Sequence, residues 1–484
     1  MIVVSITGPT TEDAVLQVRA SARWADIIEF RLDLIQQLDL RRIFRTTRKP
    51  RIATLRPEWE GGRFKGTENE RFDLLLEAGA RGAEYIDIEH AAGKKMLLKL
   101  RARLPRTMFI VSSHPGRASL SGSAAYRELR AAGADIVKWA FPAEDASDLR
   151  HVVDFLQAAA RDRAKAVAIA MGEPGEASRI LYRKFRGWAT YAAAEAGPGA
   201  APGQLTASTL RRIFRAHNIT PTTRVFGVLG YPLGQSKGVY VHNALFARHN
   251  VNAVYVKFPT NDLALFMRNV MPWVAGCSVT LPYKEEVGSY CDRLEENAAR
   301  IGAVNTLLRR KGNLVGLNTD AAAALDVIER EIAVNGKTML VVGAGGAARA
   351  IVVEAQRRGA TVVIANRNFR RAEALARECG GTAISCQALG SVKFDVLANA
   401  TSVGMYPDVE SSPVPKEVLR VGMVVFDAVY NPPHTRLLRD AILAGARTVS
   451  GKEMYINQAA GQARLFLRRK PDVLLMRATL ATHL

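Results

Sequence analysis

A lysine set in an apolar run is the first feature of this chain with chemistry in it. Lys138 lies in Asp135-Ile136-Val137-Lys138-Trp139-Ala140, where partial desolvation and neighbouring cations make an amine nucleophile that can condense with a ketone to an imine. His114, in Ser112-Ser113-His114, is a side chain able to take up and release a proton near neutral pH. A separate motif, Gly343-Ala344-Gly345-Gly346-Ala347-Ala348-Arg349, follows the apolar run Thr338 to Val342. Small residues there let the backbone approach a pyrophosphate at the start of a helix. After the next apolar run, Thr361 to Ala365, an acidic residue would bind the ribose hydroxyl of NAD. This chain reads Asn366-Arg367-Asn368, with Arg371 one helical turn beyond. Cations favour a 2′-phosphate, so NADP is the expected cofactor.

The elements that must hold these groups follow from periodicity. Short β-branched runs recur at Ile2 to Ile6, Ile27 to Leu32, Ile52 to Leu55, Tyr85 to Ile88, Phe109 to Val111, Ile136 to Trp139, Ala166 to Met171 and Gly187 to Tyr191. Amphipathic stretches of helical period separate them, the pattern of βα units closing into a (β/α)8 TIM barrel. Polar residues stand where the strands run out: Glu29, Arg31, Arg56, Asp87, Glu89, Ser112 to His114, Lys138, and Met171 onward to Arg179. In such barrels the C-terminal strand ends converge on one pocket. The glycine-rich segment, between a strand and a helix, reads as the opening of a Rossmann fold.

With 484 residues the chain exceeds one hydrophobic core. Its 48% hydrophobic and 23% charged residues are ordinary for a globular α/β protein, and no apolar run approaches the roughly 18 residues a bilayer span needs, so no membrane partner is expected. Met1 to Thr7 reads as a strand instead of a signal peptide, and four cysteines without a CxxC spacing suit a reduced, cytoplasmic protein with neither disulfides nor a zinc site. The net charge of +21 raises nucleic-acid binding as an alternative. Its densest cluster, Arg41 to Arg51, carries six basic residues but no recognition motif. The charge equally suits anionic small substrates.

Over Met1 to about His217 the chain resembles the type I 3-dehydroquinate dehydratases. Glu29-Phe30-Arg31-Leu32-Asp33, Thr54-Leu55-Arg56 with Glu60-Gly61-Gly62, Ser112-Ser113-His114, Lys138, the segment Met171-Gly172 to Ser178-Arg179, and Pro202-Gly203-Gln204 follow in that family's order. The resemblance implies a metal-free mechanism in which Lys138 forms a Schiff base with 3-dehydroquinate and His114 is the general base. By the same resemblance Glu60 orients His114 through its other ring nitrogen, Arg179 clamps the substrate carboxylate, and Glu29, Arg31, Arg56 and Gln204 hold ring hydroxyls and the imine nitrogen. Pro115 and Ala200 stand where the family usually has Asp and Ser. The Gly- and Pro-rich stretch Gly197 to Gly203 reads as a mobile lid.

From Val225 to Leu484 the chain resembles shikimate dehydrogenases. Gly230-Tyr231-Pro232 to Ser236, Val279-Thr280-Leu281-Pro282-Tyr283-Lys284, Gly302-Ala303-Val304-Asn305-Thr306, Gly316-Leu317-Asn318-Thr319-Asp320, Asn399 to Met405, Asp427 to Pro432 and Gly451 to Gln458 carry it. It implies Lys284 and Asp320 as the catalytic pair, with Ser236, Thr280, Asn305, Tyr430 and Gln458 on the substrate. Gly343, Ala344, Gly345, Gly346, Ala347, Asn366, Arg367, Arg371, Thr401 and Gly451 are the expected NADP contacts. The expected domains are a barrel over 1–220, a substrate domain over 221–320 plus 455–484, and an inserted Rossmann domain over 321–454. The expected small-molecule partners are 3-dehydroquinate, 3-dehydroshikimate and shikimate. Ser236-Lys237-Gly238 replaces the family's S-x-S pair; the missing hydroxyl makes quinate the alternative substrate.

Overall fold

The computed structural model describes every residue except Ser119, Pro198, Gln235 and Leu484. Two compact units emerge, Met1–Gly227 with Asn252–Val274, and Val228–Val251 with Ala275–Leu484.

In the first unit eight strands form one parallel sheet: β1 (Ile2–Ile6), β2 (Ile27–Arg31), β3 (Arg51–Thr54), β4 (Tyr85–Glu89), β5 (Met108–Ser113), β6 (Ile136–Pro142), β7 (Lys165–Met171) and β8 (Thr190–Ala193). Their order is β7-β6-β5-β4-β3-β2-β1-β8, so β8 returns to pair with β1. The backbone N–H of Trp188 donates to Ala166 O on β7 and brings the two ends of the sheet together. The eighth strand begins three residues later than the apolar run suggests. Arg186 holds a positive φ and Gly187 N–H bonds Tyr182 O, so 186–189 is spent on a turn.

Side chains alternate across a strand, so every second residue points into the barrel. One interior layer is apolar: Val3, Ile27, Ile52, Tyr85, Ile110, Ile136 and Tyr191 belong to a single buried cluster. Two residues further along β1 to β6 the same positions become Ser5, Glu29, Thr54, Asp87, Ser112 and Lys138, all buried. The polar groups are thus lifted by one pleat toward the C-terminal end. β9 (Arg224–Gly230) and β10 (Ala253–Pro259) follow the barrel in the chain.

The second unit holds two sheets. In one, β9 from Val228 onward is followed in spatial order by β11 (Gly276–Val279), β13 (Thr306–Arg310), β14 (Asn313–Leu317) and β12 (Arg293–Leu294). The other is parallel, in the order β17 (Thr382–Ile384), β16 (Thr361–Ala365), β15 (Thr338–Val342), β18 (Val396–Asn399), β19 (Val424–Asp427) and β20 (Arg447–Ser450). Apolar clusters cover both faces of this second sheet, the requirement of a doubly wound fold. Among the described residues no helix is long and apolar enough to cross a membrane.

Candidate active sites

The polar layer of the barrel is hydrogen-bonded almost all the way round. Ser5 Oγ donates to Glu29 Oε2 at 2.5 Å, and Thr54 Oγ1 donates to Glu29 Oε1 at 2.9 Å. Lys138 Nζ donates to Asp87 Oδ2 at 2.8 Å and lies 3.7 Å from Glu29 Oε1, while Ser112 Oγ donates to Asp87 Oδ1 at 2.5 Å. The nearest charged neighbours of Lys138 are therefore carboxylates, and not the cations expected from the sequence. Its Nζ also stands 4.1 Å from the ring centre of Tyr191, whose hydroxyl is pushed well above the usual phenol range by burial, with Glu29 and Asp87 adding to it. Burial acts to raise the pKa of Asp87, but Lys138 and Arg56 outweigh it and hold the carboxyl below its ordinary range.

One pleat higher lie Arg31, Arg56, Glu89 and His114. Arg56 Nη1 is 2.9 Å from His114 Nδ1 and 3.2 Å from Glu89 Oε1, and its Nη2 is 3.5 Å from Asp87 Oδ2. A guanidinium only donates, so Nδ1 accepts and the ring proton of a neutral His114 is on Nε2. Burial, then the charges of Arg56 and Lys138, lower the His114 pKa well below the ordinary imidazole value. Glu60 takes a different partner from the expected one. Its Oε1 accepts from the backbone N–H of His114 at 2.6 Å and remains 3.4 Å from Nδ1, whose hydrogen bond goes to Arg56. Arg31 turns its fork onto Asp33, with Nε and Nη2 donating at 2.9 and 2.8 Å. Glu89 meets Arg71 as well as Arg56, and burial pushes its carboxyl up to about 7.

Arg179 is fully buried with no carboxylate in an ion pair among the described residues. Its Nη1 donates to Tyr191 O at 3.1 Å and its Nη2 to Pro202 O at 3.2 Å, whereas Nε has no partner among the described residues. Desolvation brings its pKa down to about 10. A buried cation with an unmet donor suits an anionic ligand group. The segment expected to be a lid is tied at Pro202 and Ala200: Pro202 O accepts from Gly172 N–H at 3.2 Å, and Gln204 Oε1 accepts from Ala200 N–H at 2.7 Å. Gly203, at φ +70°, admits no Cβ, which would stand 2.4 Å from Gly172 O. Pro198 lies outside the described residues.

In the second unit Lys284 Nζ and Asp320 Oδ2 are 2.6 Å apart, both largely buried. Asp320 opens the helix Asp320–Ile328, where the side chain of Asn318 accepts from its backbone N–H at 2.9 Å. Lys284 O accepts from the N–H of Val304, the residue that precedes Asn305. Asn305 Nδ2 donates to Thr319 Oγ1 at 2.9 Å, and Thr319 Oγ1 donates in turn to Gln458 O at 3.2 Å. Asn305, Asp320 and the backbone of Gln458 therefore converge. Gln462, which sequence reasoning missed, holds Asn305 O and Thr306 Oγ1 through its amide. Thr280 N–H bonds Leu229 O, Ser236 N–H bonds Leu233 O, and the rings of Tyr430 and Tyr455 lie 4.8 Å apart. Gly238, the origin of the quinate alternative, is buried at the start of the helix Gly238–Arg248.

The nucleotide cradle is tight. A Cβ on Gly343, at φ +121°, would come within 3.1 Å of Ala400 O and 3.2 Å of Thr401 Cγ2; one on Gly346 would meet Lys284 Cβ at 3.0 Å. The helix Gly346–Arg357 starts at Gly345 with no side-chain cap and no acidic residue in its first turn. Its free amide end fits a pyrophosphate. Asn366 Nδ2 donates to Asn368 O, while Arg367 and Arg371 are exposed beside it. A dinucleotide with a 2′-phosphate fits these residues. Thr401 is fixed by Asn399, which also donates to Asp427 at 2.9 Å. Burial raises Asp427 to about 6. Gly451 is a packing requirement, since a Cβ would stand 2.5 Å from Ala428 O.

Asp87 was visible from the sequence only as a strand-end acid. The signal that pairs it with Lys138 is parity: both occupy the same interior layer of alternate strands, β4 and β6.

Three family models match: type I 3-dehydroquinase over residues 2–221, the shikimate dehydrogenase substrate binding domain over 228–307, and shikimate/quinate 5-dehydrogenase over 326–406. The chain is 39% identical to the chloroplastic bifunctional 3-dehydroquinate dehydratase/shikimate dehydrogenase of Arabidopsis thaliana, across 91% of this chain and 77% of that protein. It is 29% identical to the shikimate biosynthesis protein AroDE of Chlamydia pneumoniae, across 98% and 96%. The crystal structure of shikimate 5-dehydrogenase from Thermus thermophilus, solved with NADP(H) and shikimate, is 33% identical at a TM-score of 0.50, covering 54% of this chain and all of that one. These relatives lend no support to a quinate preference or to nucleic-acid binding. The chain belongs to the bifunctional 3-dehydroquinate dehydratase/shikimate dehydrogenases, with a type I 3-dehydroquinase preceding a shikimate dehydrogenase in one polypeptide.

Proposed function

We propose that Lys138 and His114 perform the dehydration and Lys284 and Asp320 the reduction. The observation that carries the first half is the buried Lys138 amine, aimed into the barrel mouth beside a histidine kept neutral by its surroundings. The neutral form of the amine adds to the ketone of 3-dehydroquinate, and the carbinolamine hydroxyl takes a proton from solvent and leaves as water, giving a protonated imine. His114 then removes the proton from the adjacent carbon, the electron pair flows into the imine, and the imidazolium returns a proton to the departing hydroxyl. Hydrolysis of the imine releases 3-dehydroshikimate and restores Lys138. Asp87 is the counter-ion throughout, Arg179 clamps the carboxylate, and Glu29, Arg31, Arg56 and Gln204 surround the ring. Glu60 positions His114 through its backbone.

In the second half Lys284 polarises the carbonyl of 3-dehydroshikimate and gives a proton to the new alkoxide, while its partner Asp320 keeps that ammonium oriented. NADPH supplies the hydride when bound. Gly343 to Ala347, Thr401 and Gly451 shape its pyrophosphate and nicotinamide end, and Asn366, Arg367 and Arg371 hold the 2′-phosphate. Ser236, Thr280, Asn305, Tyr430 and Gln458 take the substrate. We assign 1–220 to the dehydratase, 221–320 with 455–484 to the substrate domain and 321–454 to the nucleotide domain. The enzyme works in the cytosol, where four cysteines that form no disulfide among the described residues stay reduced.

The test is a coupled assay. With 3-dehydroquinate and NADPH, the wild type oxidises NADPH after a lag, and borohydride added with 3-dehydroquinate alone attaches one substrate-derived mass to Lys138. Absence of both in folded protein refutes the assignment.

A further inference from the structure

The dehydrogenase half has a second concavity, lined by none of the residues assigned to substrate or cofactor. A cleft of about 700 Å³ opens over β12, β13, β14 and the end of the helix Gly451–Leu467. Its rim is cationic: Arg293, Arg310, Lys311, Arg464 and Arg468 line it, with no acidic residue among the lining side chains. Leu308, Val315 and Leu465 supply an apolar floor. The backbone register builds this face. Leu308 pairs with Val315 and Arg310 with Asn313 across the hairpin, while Arg293 pairs with Val315 from the other side. Alternation then sends all of these side chains to one face. Arg464 and Arg468 arrive from one turn of the helix end.

None of the five cations enters an ion pair among the described residues, in contrast to Arg358, which meets Asp326, Glu329 and Glu354. Five like charges around one hollow repel each other and raise the local concentration of anions. No aromatic side chain lines the cleft, so it lacks the stacking platform that single-stranded nucleic acid uses. From these features we infer that the cleft binds a small polyanion, a molecule with two or more phosphate or carboxylate groups on a compact apolar body.

The cleft shares its elements with the substrate site. Gln458 and Gln462 stand on the same helix as Arg464, and the strand that begins at Thr306, held by Gln462, ends at Arg310. Occupancy therefore shifts the KM of the dehydrogenase for its substrate and leaves dehydratase turnover unchanged. This consequence rests on the substrate residues assigned above; the binding itself does not.

Calorimetric titration of the full chain, saturated with NADP+ and shikimate, with inorganic tripolyphosphate and separately with citrate tests the site. One saturable site per chain is expected, weakening with added salt and losing roughly tenfold or more in affinity in the double variant Arg310→Glu/Arg464→Glu. That variant retains both activities in the absence of polyanion. If it does not fold, Arg293→Gln/Arg468→Gln gives the same comparison with a milder change. Equal affinity in wild type and variant overturns the site, as does binding without saturation. An RNA oligomer that binds more tightly than tripolyphosphate and is lost in the same variant reassigns the cleft to a macromolecule and overturns the proposal.

Discussion

Lys138 Nζ and Asp87 Oδ2 lie 2.8 Å apart in the barrel, both buried; Asp87 also accepts from Ser112, and Lys138 lies 3.7 Å from Glu29 Oε1. The pair turns a lysine that would be costly to bury into a held, correctly aimed amine. In the proposed mechanism it also leaves a carboxylate in place for the positive charge of the imine that replaces the ammonium.

Removing that carboxylate separates aim from charge. Asp87→Asn keeps the shape but leaves Lys138 and Arg56 with one negative neighbour fewer. Dehydratase kcat falls about 100-fold or more, and breaking the buried pair costs roughly 3 kcal/mol of stability. The pH dependence of borohydride trapping distinguishes the two effects: a change of stability alone leaves the trapping profile unmoved. Because Asp87 is held below the ordinary carboxylate range, the pair's contribution is fully present above that range and is lost only as pH falls toward the lowered value.

By the role proposed for His114, the acid limb of dehydratase kcat/KM should follow the titration of this residue. With its pKa depressed by burial and by Arg56 and Lys138, the free enzyme keeps its base deprotonated below the ordinary imidazole value of about 6.5. Activity therefore holds through that range and drops only at lower pH. Arg56→Met removes one of the depressing charges and moves the limb upward in pH, whatever it does to the absolute rate. An unmoved limb contradicts the role given to Arg56.

Lys284→Ala or Asp320→Asn breaks the 2.6 Å pair of the second site. Reduction of 3-dehydroshikimate should slow by about 100- to 10,000-fold, with dehydration of 3-dehydroquinate unchanged in the same preparation. The converse variant, Lys138→Ala, abolishes dehydration and spares reduction.

Arg367 and Arg371, the proposed contacts of the 2′-phosphate, stand exposed with no acidic residue in the segment Asn366 to Arg371. Replacing both by alanine raises the KM for NADPH by roughly 10- to 100-fold and leaves the KM for NADH nearly unchanged. Steady-state measurements with the two cofactors decide it, and a parallel rise for NADH would point to general damage.

His242 provides a pH test of folding in the dehydrogenase half. Burial lowers its pKa to about 3, so between an unfolded value of about 6.5 and the folded one the unfolded chain binds more protons. Stability must fall as pH drops through that window, by about 1.4 kcal/mol per unit. His242→Phe, beside Phe466 at 5.5 Å between ring centres, flattens this slope in denaturant titrations.

Much of this protein is legible in the chain before any coordinates. The βα repeat of the first half and the strand, glycine loop and helix of the second are set by local periodicity. Their burial demand has one economical solution in each case, a closed barrel and a doubly wound sheet. The ordered motifs likewise mark Lys138, His114, Lys284 and Asp320: His114 follows strand β5, Asp320 opens a helix, Lys138 lies within strand β6 and Lys284 in a turn after β11.

Which polar group meets which was decided by the tertiary structure. That Lys138 faces Asp87 and Glu29 instead of cations depends on the stagger of strands far apart in sequence. So does the choice of Arg56 as the partner of His114 Nδ1, with Glu60 turned to its backbone. The same holds for the five cations of the cleft, which come from separate stretches of chain and are gathered by the β12, β13 and β14 register together with the end of the helix Gly451–Leu467. Residue type and local period specify the elements and the kinds of chemistry they carry. Distances of a few ångströms between side chains are properties of strand stagger and packing, and no local signal encodes them.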